Sequence, residues 1–296
     1  MIEVPGAFVR ETCAREGEAG RSWLDALPGV VDEALVRWGL TLAGRAMHGA
    51  VGVVVPVRRV GGEPAVLKVS FPHPGNVAEP KALAAWAGCG AVRLLEHDAE
   101  GFAMVLEKAG RGSLREVPDG VDRMVVAGRL NRRLAVVAPE GVPSLRGVAD
   151  EWATEIESRQ RRLGAPLVDR VVGRAVESCR GLAAYQPDLL VHGDLNFSNV
   201  LRGSREPWLV IDPKGWVGDP AYDAVNLLRD RWHTMVDLVK TLSYQLAVFA
   251  EAAELDRERV VRWVQACAVK DALWSVEFGE SRERAAVNEA VAGITG

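Results

Sequence analysis

Near Gly112 the apolar residues of this chain turn from a strand period to a helical one, and that change limits the fold more than any total does. "VGVVVPVRRV" (51–60) is rich in β-branched residues, "GGE" (61–63) is a turn, and "PAVLKVS" (64–70) alternates. Together they read as a hairpin closed by Gly-Gly. Pro56 lacks the N–H that a ladder needs, so it predicts an edge position or a bulge. "AVRLLEHDAEGFAMVLEKA" (91–109) reads as strand, turn, strand. After Gly112 the spacing becomes helical, over 119–137, 145–163 and 166–185, then over 220–232, 234–253, 257–278 and 281–292. Strands gathered in one half and helices in the other predict an α+β fold of two lobes. The boundary falls near 107–113, "EKAGRGS", giving a β-rich lobe over 1–107 and a helical lobe over 108–296. A helical extension over 20–40 precedes the strands, with Trp23, Leu24, Leu27, Val31, Leu35 and Trp38 in helical register. Asn76 is the expected cap of a helix running to Trp86, with Pro80 tolerated in its first turn.

Two short strand-like runs interrupt the helical half, "LLV" (189–191) and "WLVID" (208–212), and between them lies "VHGDLNFSNV" (191–200). It crowds a histidine, an aspartate and two asparagines immediately after an apolar run. A polar turn is the bland explanation. Yet Asn199 follows Asp194 by five residues, Asp212 ends the next strand, and "RGSREP" between them makes a turn. A hairpin there brings Asn199 and Asp212 together with Asp194 at the mouth of the loop. Two oxygen ligands on one cation, with a carboxylate nearby, are what magnesium-dependent phosphoryl transfer needs. Magnesium prefers oxygen and often takes only one or two carboxylates beside phosphate oxygens. A carboxylate beside a hydroxyl orients it and accepts its proton.

"HGDLNFSN" followed by "IDPKG" resembles the catalytic loop and metal-binding segment of the aminoglycoside phosphotransferases, which share the protein-kinase-like fold. The pattern H-G-D-x-x-x-x-N followed by I-D is matched at every position. "AVLKVS", "GAVRLLEHD", "MVLEKA" and "GDPAYDAVNLL" extend the resemblance toward the branch of streptomycin 6-kinases and hydroxyurea phosphotransferases, from about residue 20 onward. It implies an ATP- and Mg2+-dependent transfer of the γ-phosphoryl group to a small-molecule hydroxyl, with Asp194 as catalytic base and Asn199 and Asp212 as magnesium ligands.

The rest of a nucleotide site can be sought on that basis. Lys68 sits in mid-strand and needs a partner; alone, it reads equally as an edge-strand lysine or a phosphate contact. The downstream loop favours the phosphate. Glu79 is the expected partner, as in the Lys–Glu pair of kinases, although a glutamate at a helix N-terminus is also favoured by the helix dipole. "GRAMHGAVG" (44–52) supplies glycines for a phosphate-covering loop but is not G-x-G-x-x-G. By resemblance, "MVLEKAG" (104–110) is the hinge, where backbone groups near Glu107 and Ala109 meet the adenine edge.

The acceptor side is less defined. A cationic substrate calls for acidic side chains, and the candidates are Glu277, Glu280, Asp230, Glu151 and Glu155, with Trp274 as a stacking face. Each acidic residue also reads as a solvated helix face. In "GDPAYD", Asp219 and Asp223 are expected to anchor the catalytic loop through backbone N–H groups.

Composition narrows the alternatives. The 296 residues carry a net charge of −4, which argues against a broadly basic nucleic-acid surface. The four cysteines form no CxxC pair, pointing to reduced thiols in a cytoplasmic protein. No signal peptide opens the chain and no apolar run approaches the ~20 residues that span a bilayer. A protein kinase fits poorly, because HGD replaces HRD and too few residues separate Asp212 from the next helix for a peptide-binding segment. A nucleotide-binding pseudokinase fits poorly because Lys68, Asp194, Asn199 and Asp212 are all present.

Overall fold

The computed structural model describes residues 2–118, 121–229, 237–279 and 282–294. The chain opens with α1 (Gly6–Arg37), kinked at Gly17, where φ is 61°. The helix begins earlier than its apolar spacing suggests. Its polar first half is anchored by Phe8, which is fully buried and packs edge-on against Trp23.

Next comes an antiparallel sheet of β1 (Thr41–Leu42), β2 (Met47–His48), β3 (Gly52–Arg58), β4 (Pro64–Ser70), β5 (Leu94–Asp98) and β6 (Ala103–Glu107). The strand order is β1-β3-β4-β6-β5, with β2 also on β3. Pro56 pairs with Val66 on one side. On the other it faces the gap between β1 and β2, where residues 43–46 bulge away and Ala43 N–H donates to the Pro56 carbonyl at 2.8 Å. The missing N–H therefore falls where no regular ladder exists.

The two faces of the sheet do different work. Val53, Val55, Val57, Ala65, Leu67, Val69 and Val105 are buried in one cluster with Leu24, Leu27 and Val31 of α1. The alternate residues of β4, Val66 and Lys68, face the other way. On that side lies α2 (Glu79–Trp86). Asn76 does not cap it: its side chain closes the preceding 3-10 turn, accepting from His73 N–H at 3.2 Å and donating to the Phe71 carbonyl at 3.0 Å. The N-cap of α2 is Ala78.

The helical lobe is built from α3 (Val121–Leu134), α4 (Leu145–Arg162), α5 (Asp169–Ala184), α6 (Ala224–Arg229), α7 (Leu238–Ala253), α8 (Arg257–Glu277) and α9 (Arg282–Ala292). α8 is buried on nearly every side, as expected of a central helix, and packs against α4, α5, α6, α7 and α9. Between α5 and α6 run four short strands: β7 (Leu190–Val191), β8 (Val200–Arg202), β9 (Trp208–Val210) and β10 (Trp216–Val217). β8 pairs with β9 and β10 with β7, both antiparallel. All four cysteines are free thiols. No helix among the described residues is long and apolar enough to cross a membrane.

Candidate active site

The β8–β9 hairpin brings the sequence candidates together. Ile211 N–H donates to the Asn199 carbonyl at 2.9 Å, so Asn199 and Asp212 stand side by side. The Asn199 Nδ2 donates to the Asp194 carbonyl at 2.9 Å, which orients the amide. Asn196, unassigned from sequence, shapes the loop: its Oδ1 accepts the N–H groups of Ser198 and Asn199 at 2.9 and 3.1 Å. Asp212 has φ of 60°, a left-handed conformation that non-glycine residues adopt rarely and that clusters at functional sites.

Lys68 reaches this site from the other lobe. Its Nζ donates to both Glu79 oxygens, at 2.6 and 2.7 Å, and also contacts Asp212 Oδ1. Lys68 and Glu79 are both buried. Burial alone would weaken the lysine's charge; the Glu79 and Asp212 carboxylates outweigh it and hold the ammonium above its ordinary range. Burial likewise opposes ionisation of Asp212, and Lys68 with Lys214 overcomes it, keeping that carboxyl below its usual range.

A cleft of about 690 Å³ opens around these groups. Its walls include Lys68, Glu79, Asn199 and Asp212, the 47–52 segment, and residues 107–112. Gly52 is required by close approach: a Cβ there would lie 2.7 Å from the Val69 carbonyl. At the hinge, Glu107 N–H is taken by the Arg93 carbonyl at 2.9 Å, and its carboxylate by Arg205, with Nε at 3.0 and 3.1 Å. Arg205 also donates to the Ala91 carbonyl, tying the β8–β9 turn to the back of the hinge. Nothing in the sequence near Arg205 signals this role.

The catalytic loop is held from beneath. His192 is fully buried, its ring stacked on Trp86 at 6.1 Å. Its Nδ1 accepts Asp194 N–H at 3.2 Å and its Nε2 donates to the Ile211 carbonyl at 3.0 Å. Burial lowers its pKa to about 4, so the ring is neutral with the proton on Nε2. Asp223 accepts Gly193 N–H at 2.8 Å and His192 N–H at 3.3 Å, with Asn131 Nδ2 at 3.1 Å. Burial pushes the Asp223 carboxyl up to about 7 against these donors. Gly193 has φ of 80°, and a Cβ there would strike Trp216 at 2.1 Å. Of the two aspartates expected to anchor this loop, only Asp223 does so. Asp219 turns to α8, accepting from Arg259 Nη2 at 2.6 Å and Trp263 Nε1 at 2.9 Å.

Of the acceptor candidates, the described residues are Glu151, Glu155, Trp274 and Glu277. Glu277 is neutralised by Arg162 and, at 3.2 Å, by Arg159 of α4. Glu155 pairs with Arg159 at 3.0 Å, and Glu151 is exposed. Trp274 packs on Phe278 at 4.8 Å and is 41% exposed. Asp230 and Glu280 lie outside the described residues.

The donor set fits a magnesium ion. Asn199 and Asp212 offer hard oxygens at the base of the cleft, and a site with few protein ligands suits a cation completed by phosphate oxygens.

Comparisons with known proteins bear on the fold and the family. Among solved structures, a thermostable mutant of aminoglycoside phosphotransferase APH(4)-Ia, in ternary complex with AMP-PNP and hygromycin B, matches with a TM-score of 0.57. It is 17% identical and the match covers 88% of this chain and 95% of that one. A choline/ethanolamine kinase family protein from Mesorhizobium loti matches with a TM-score of 0.55 at 18% identity, covering 89% and 95%. Both show the two-lobed kinase-like fold. A hydroxyurea phosphotransferase from Kitasatospora aureofaciens is 37% identical over all of this chain and 88% of its own length. A streptomycin 6-kinase from Streptomyces glaucescens is 35% identical over 95% of this chain and 93% of its own. With residues 37–279 matching the sequence profile of the aminoglycoside/hydroxyurea antibiotic resistance kinases, the chain belongs to that family.

Proposed function

We propose that this protein transfers the γ-phosphoryl group of ATP to a hydroxyl of a cationic aminoglycoside, streptomycin first among them. The observation that carries the reading is the meeting of Lys68, from the strand lobe, with Asp212, from the helical lobe, beside Asn199 in one cleft. Residues 1–107 form the nucleotide lobe in this reading and 108–296 the catalytic lobe.

The adenine edge binds the hinge through the Glu107 carbonyl and the Ala109 N–H; the N–H and carboxylate of Glu107 are already engaged. Lys68, held by Glu79, contacts the α- and β-phosphates. Asn199 and Asp212 would hold Mg2+, which supplies neutralisation of phosphate charge. Asp194 orients the acceptor hydroxyl and takes its proton as the oxygen attacks phosphorus. The loop that carries Asp194 is fixed by His192 and Asp223, so the base meets its substrate without reorganisation.

Streptomycin is favoured by the streptomycin 6-kinase relatives, which align along nearly the whole chain. Hydroxyurea is the second reading, favoured by a relative aligned over all of it. The test is transfer of labelled phosphate from γ-labelled ATP to streptomycin, other aminoglycosides and hydroxyurea. Labelled streptomycin supports the first reading and labelled hydroxyurea alone the second. Label on no acceptor, with ATP bound, would overturn both.

A further inference from the structure

The 47–52 segment of the cleft wall is tied at both ends to α1. β2 is two residues long, and its side chains point to opposite faces of the sheet. Met47 pairs with Val54 and shares its face, the one that lines the cleft. His48 pairs with Val53, which is buried in the cluster with α1. The His48 ring accordingly lies against Phe8 of α1, with centroids 5.5 Å apart. At the other end, the Val51 carbonyl accepts the N–H of Phe71 at 2.7 Å, and the Phe71 ring packs edge-on against Trp23 of α1 at 5.5 Å. Phe8 and Trp23 meet edge-on at 6.0 Å, which closes the series His48–Phe8–Trp23–Phe71. In a straight helix, residues fifteen apart would stand roughly 22 Å from each other. The turn at Gly17 folds the first half of α1 back. Gly20 permits the close approach, since a Cβ there would lie 2.9 Å from the Thr12 carbonyl.

We propose that the folded-back first half of α1 clasps this segment, and that Phe8 and Trp23 are positioning residues that pre-organise its N–H groups for the phosphates of the nucleotide. The segment carries Gly49 and Gly52, so its backbone has little stiffness of its own. A backbone that receives phosphates binds them more tightly when it is already ordered. The clasp acts on the phosphate end alone, because the hinge at 107–110 belongs to other parts of the chain. Both clasping rings precede residue 37, where the family profile begins to match. The nucleotide half of the proposal rests on the kinase reading given above; the clasp itself does not.

Hydrogen–deuterium exchange over 47–52, read by mass spectrometry, tests the clasp. His48→Ala removes an exposed ring, so the fold is kept. Phe8→Leu keeps a buried apolar side chain without a ring. Both are expected to exchange about threefold to tenfold faster over 47–52 than wild type, the factor an aromatic pair is worth, with β4 and β6 unchanged. His48→Phe, which keeps a ring against Phe8, exchanges as wild type does. Calorimetry in Mg2+ reads the consequence. AMP-PNP binds His48→Ala and Phe8→Leu about threefold to tenfold more weakly, adenosine binds every variant equally, and the double variant is no weaker than the weaker single one. Unchanged exchange over 47–52 overturns the clasp. Faster exchange throughout the strand lobe, or adenosine weakened alongside AMP-PNP, shows general loosening and overturns it as well. A loss of AMP-PNP affinity in His48→Phe as large as in His48→Ala assigns His48 itself to the phosphates and overturns the positioning role of Phe8. Failure of AMP-PNP to bind wild type counts against the kinase reading and overturns the nucleotide half, while the exchange result still decides the clasp.

Discussion

The ring of His192 hydrogen-bonds the carbonyl of Ile211 at 3.0 Å, from nineteen residues away in the chain. The carbonyl of His192 accepts the N–H groups of Lys214 and Gly215 at 2.8 and 3.2 Å. One buried residue thus pins the segment bearing Asp194 to the segment bearing Asp212. Replacing it by alanine is expected to lower kcat by about tenfold to a hundredfold while the KM for ATP moves little, because alignment is lost and nucleotide contacts are not. Steady-state kinetics check this, and an unchanged kcat would contradict it.

The same ring gives a pH dependence of known sign. His192 has its pKa depressed from 6.5 to about 4, so its contribution to stability is present above pH 6.5 and is lost as the pH falls through 4. Asp223 is raised from 3.8 to about 7, so its contribution is present below 3.8 and lost as the pH rises through 7. The two slopes oppose each other in one window. Urea unfolding of His192→Gln between pH 4.5 and 7 is expected to lose more stability with rising pH than wild type. Asp223→Asn is expected to lose more with falling pH, each by at most about 1.4 kcal/mol per pH unit. Parallel curves for all three proteins would contradict the assignment.

Lys68→Met leaves the buried Glu79 without its partner. Breaking a buried pair from one side costs about 3–5 kcal/mol, so the variant is expected to unfold at clearly lower urea. Glu79→Gln, which keeps a neutral amide beside the lysine, costs less. Both lose phosphoryl transfer, Lys68→Met by roughly a hundredfold or more. Equal stability of wild type and Lys68→Met would show that the pair is not buried as described.

Arg205 does not itself line the cleft, yet it grips Glu107, which does, and the Ala91 carbonyl. Arg205→Ala is expected to raise the KM for ATP by about fivefold to tenfold, ~1 to 1.4 kcal/mol, with kcat nearly unchanged. Arg205→Lys should recover only part of this, since lysine cannot reproduce the fork. A fall in kcat with constant KM would place Arg205 elsewhere in the mechanism.

The parts legible from sequence were those whose geometry is local. Asp194, Asn199 and Asp212 lie within one loop and hairpin, so spacing alone brings them together. Lys68 and Glu79 are separated by one strand end and one turn, and strand alternation fixes the direction of the lysine. The helical lobe was readable because its apolar faces repeat along each helix. Asn76 was misread because its side chain satisfies a tighter turn three residues earlier. The start of α1 was hidden because the polar stretch around the Gly17 kink breaks the apolar period. Asp219 and Asp223 sit four residues apart in one motif, and only tertiary packing sends one to α8 and the other to Gly193. Asn131 and Arg205 act over long separations and leave no local trace. Glu277 looks solvated in sequence, and only the packing of α4 on α8 supplies its arginines.

The central claim is that Asp194, Asn199, Asp212 and Lys68 form one phosphoryl-transfer site. It is tested most directly by Mg2+-dependent transfer of labelled phosphate from ATP to streptomycin, comparing wild type with Asp194→Asn and Asp212→Asn. The expected result is transfer by wild type, a loss of roughly a hundredfold to ten-thousandfold for Asp194→Asn with AMP-PNP affinity retained, and loss of Mg2+-dependent turnover by orders of magnitude for Asp212→Asn. Wild-type rates in either variant would contradict the account.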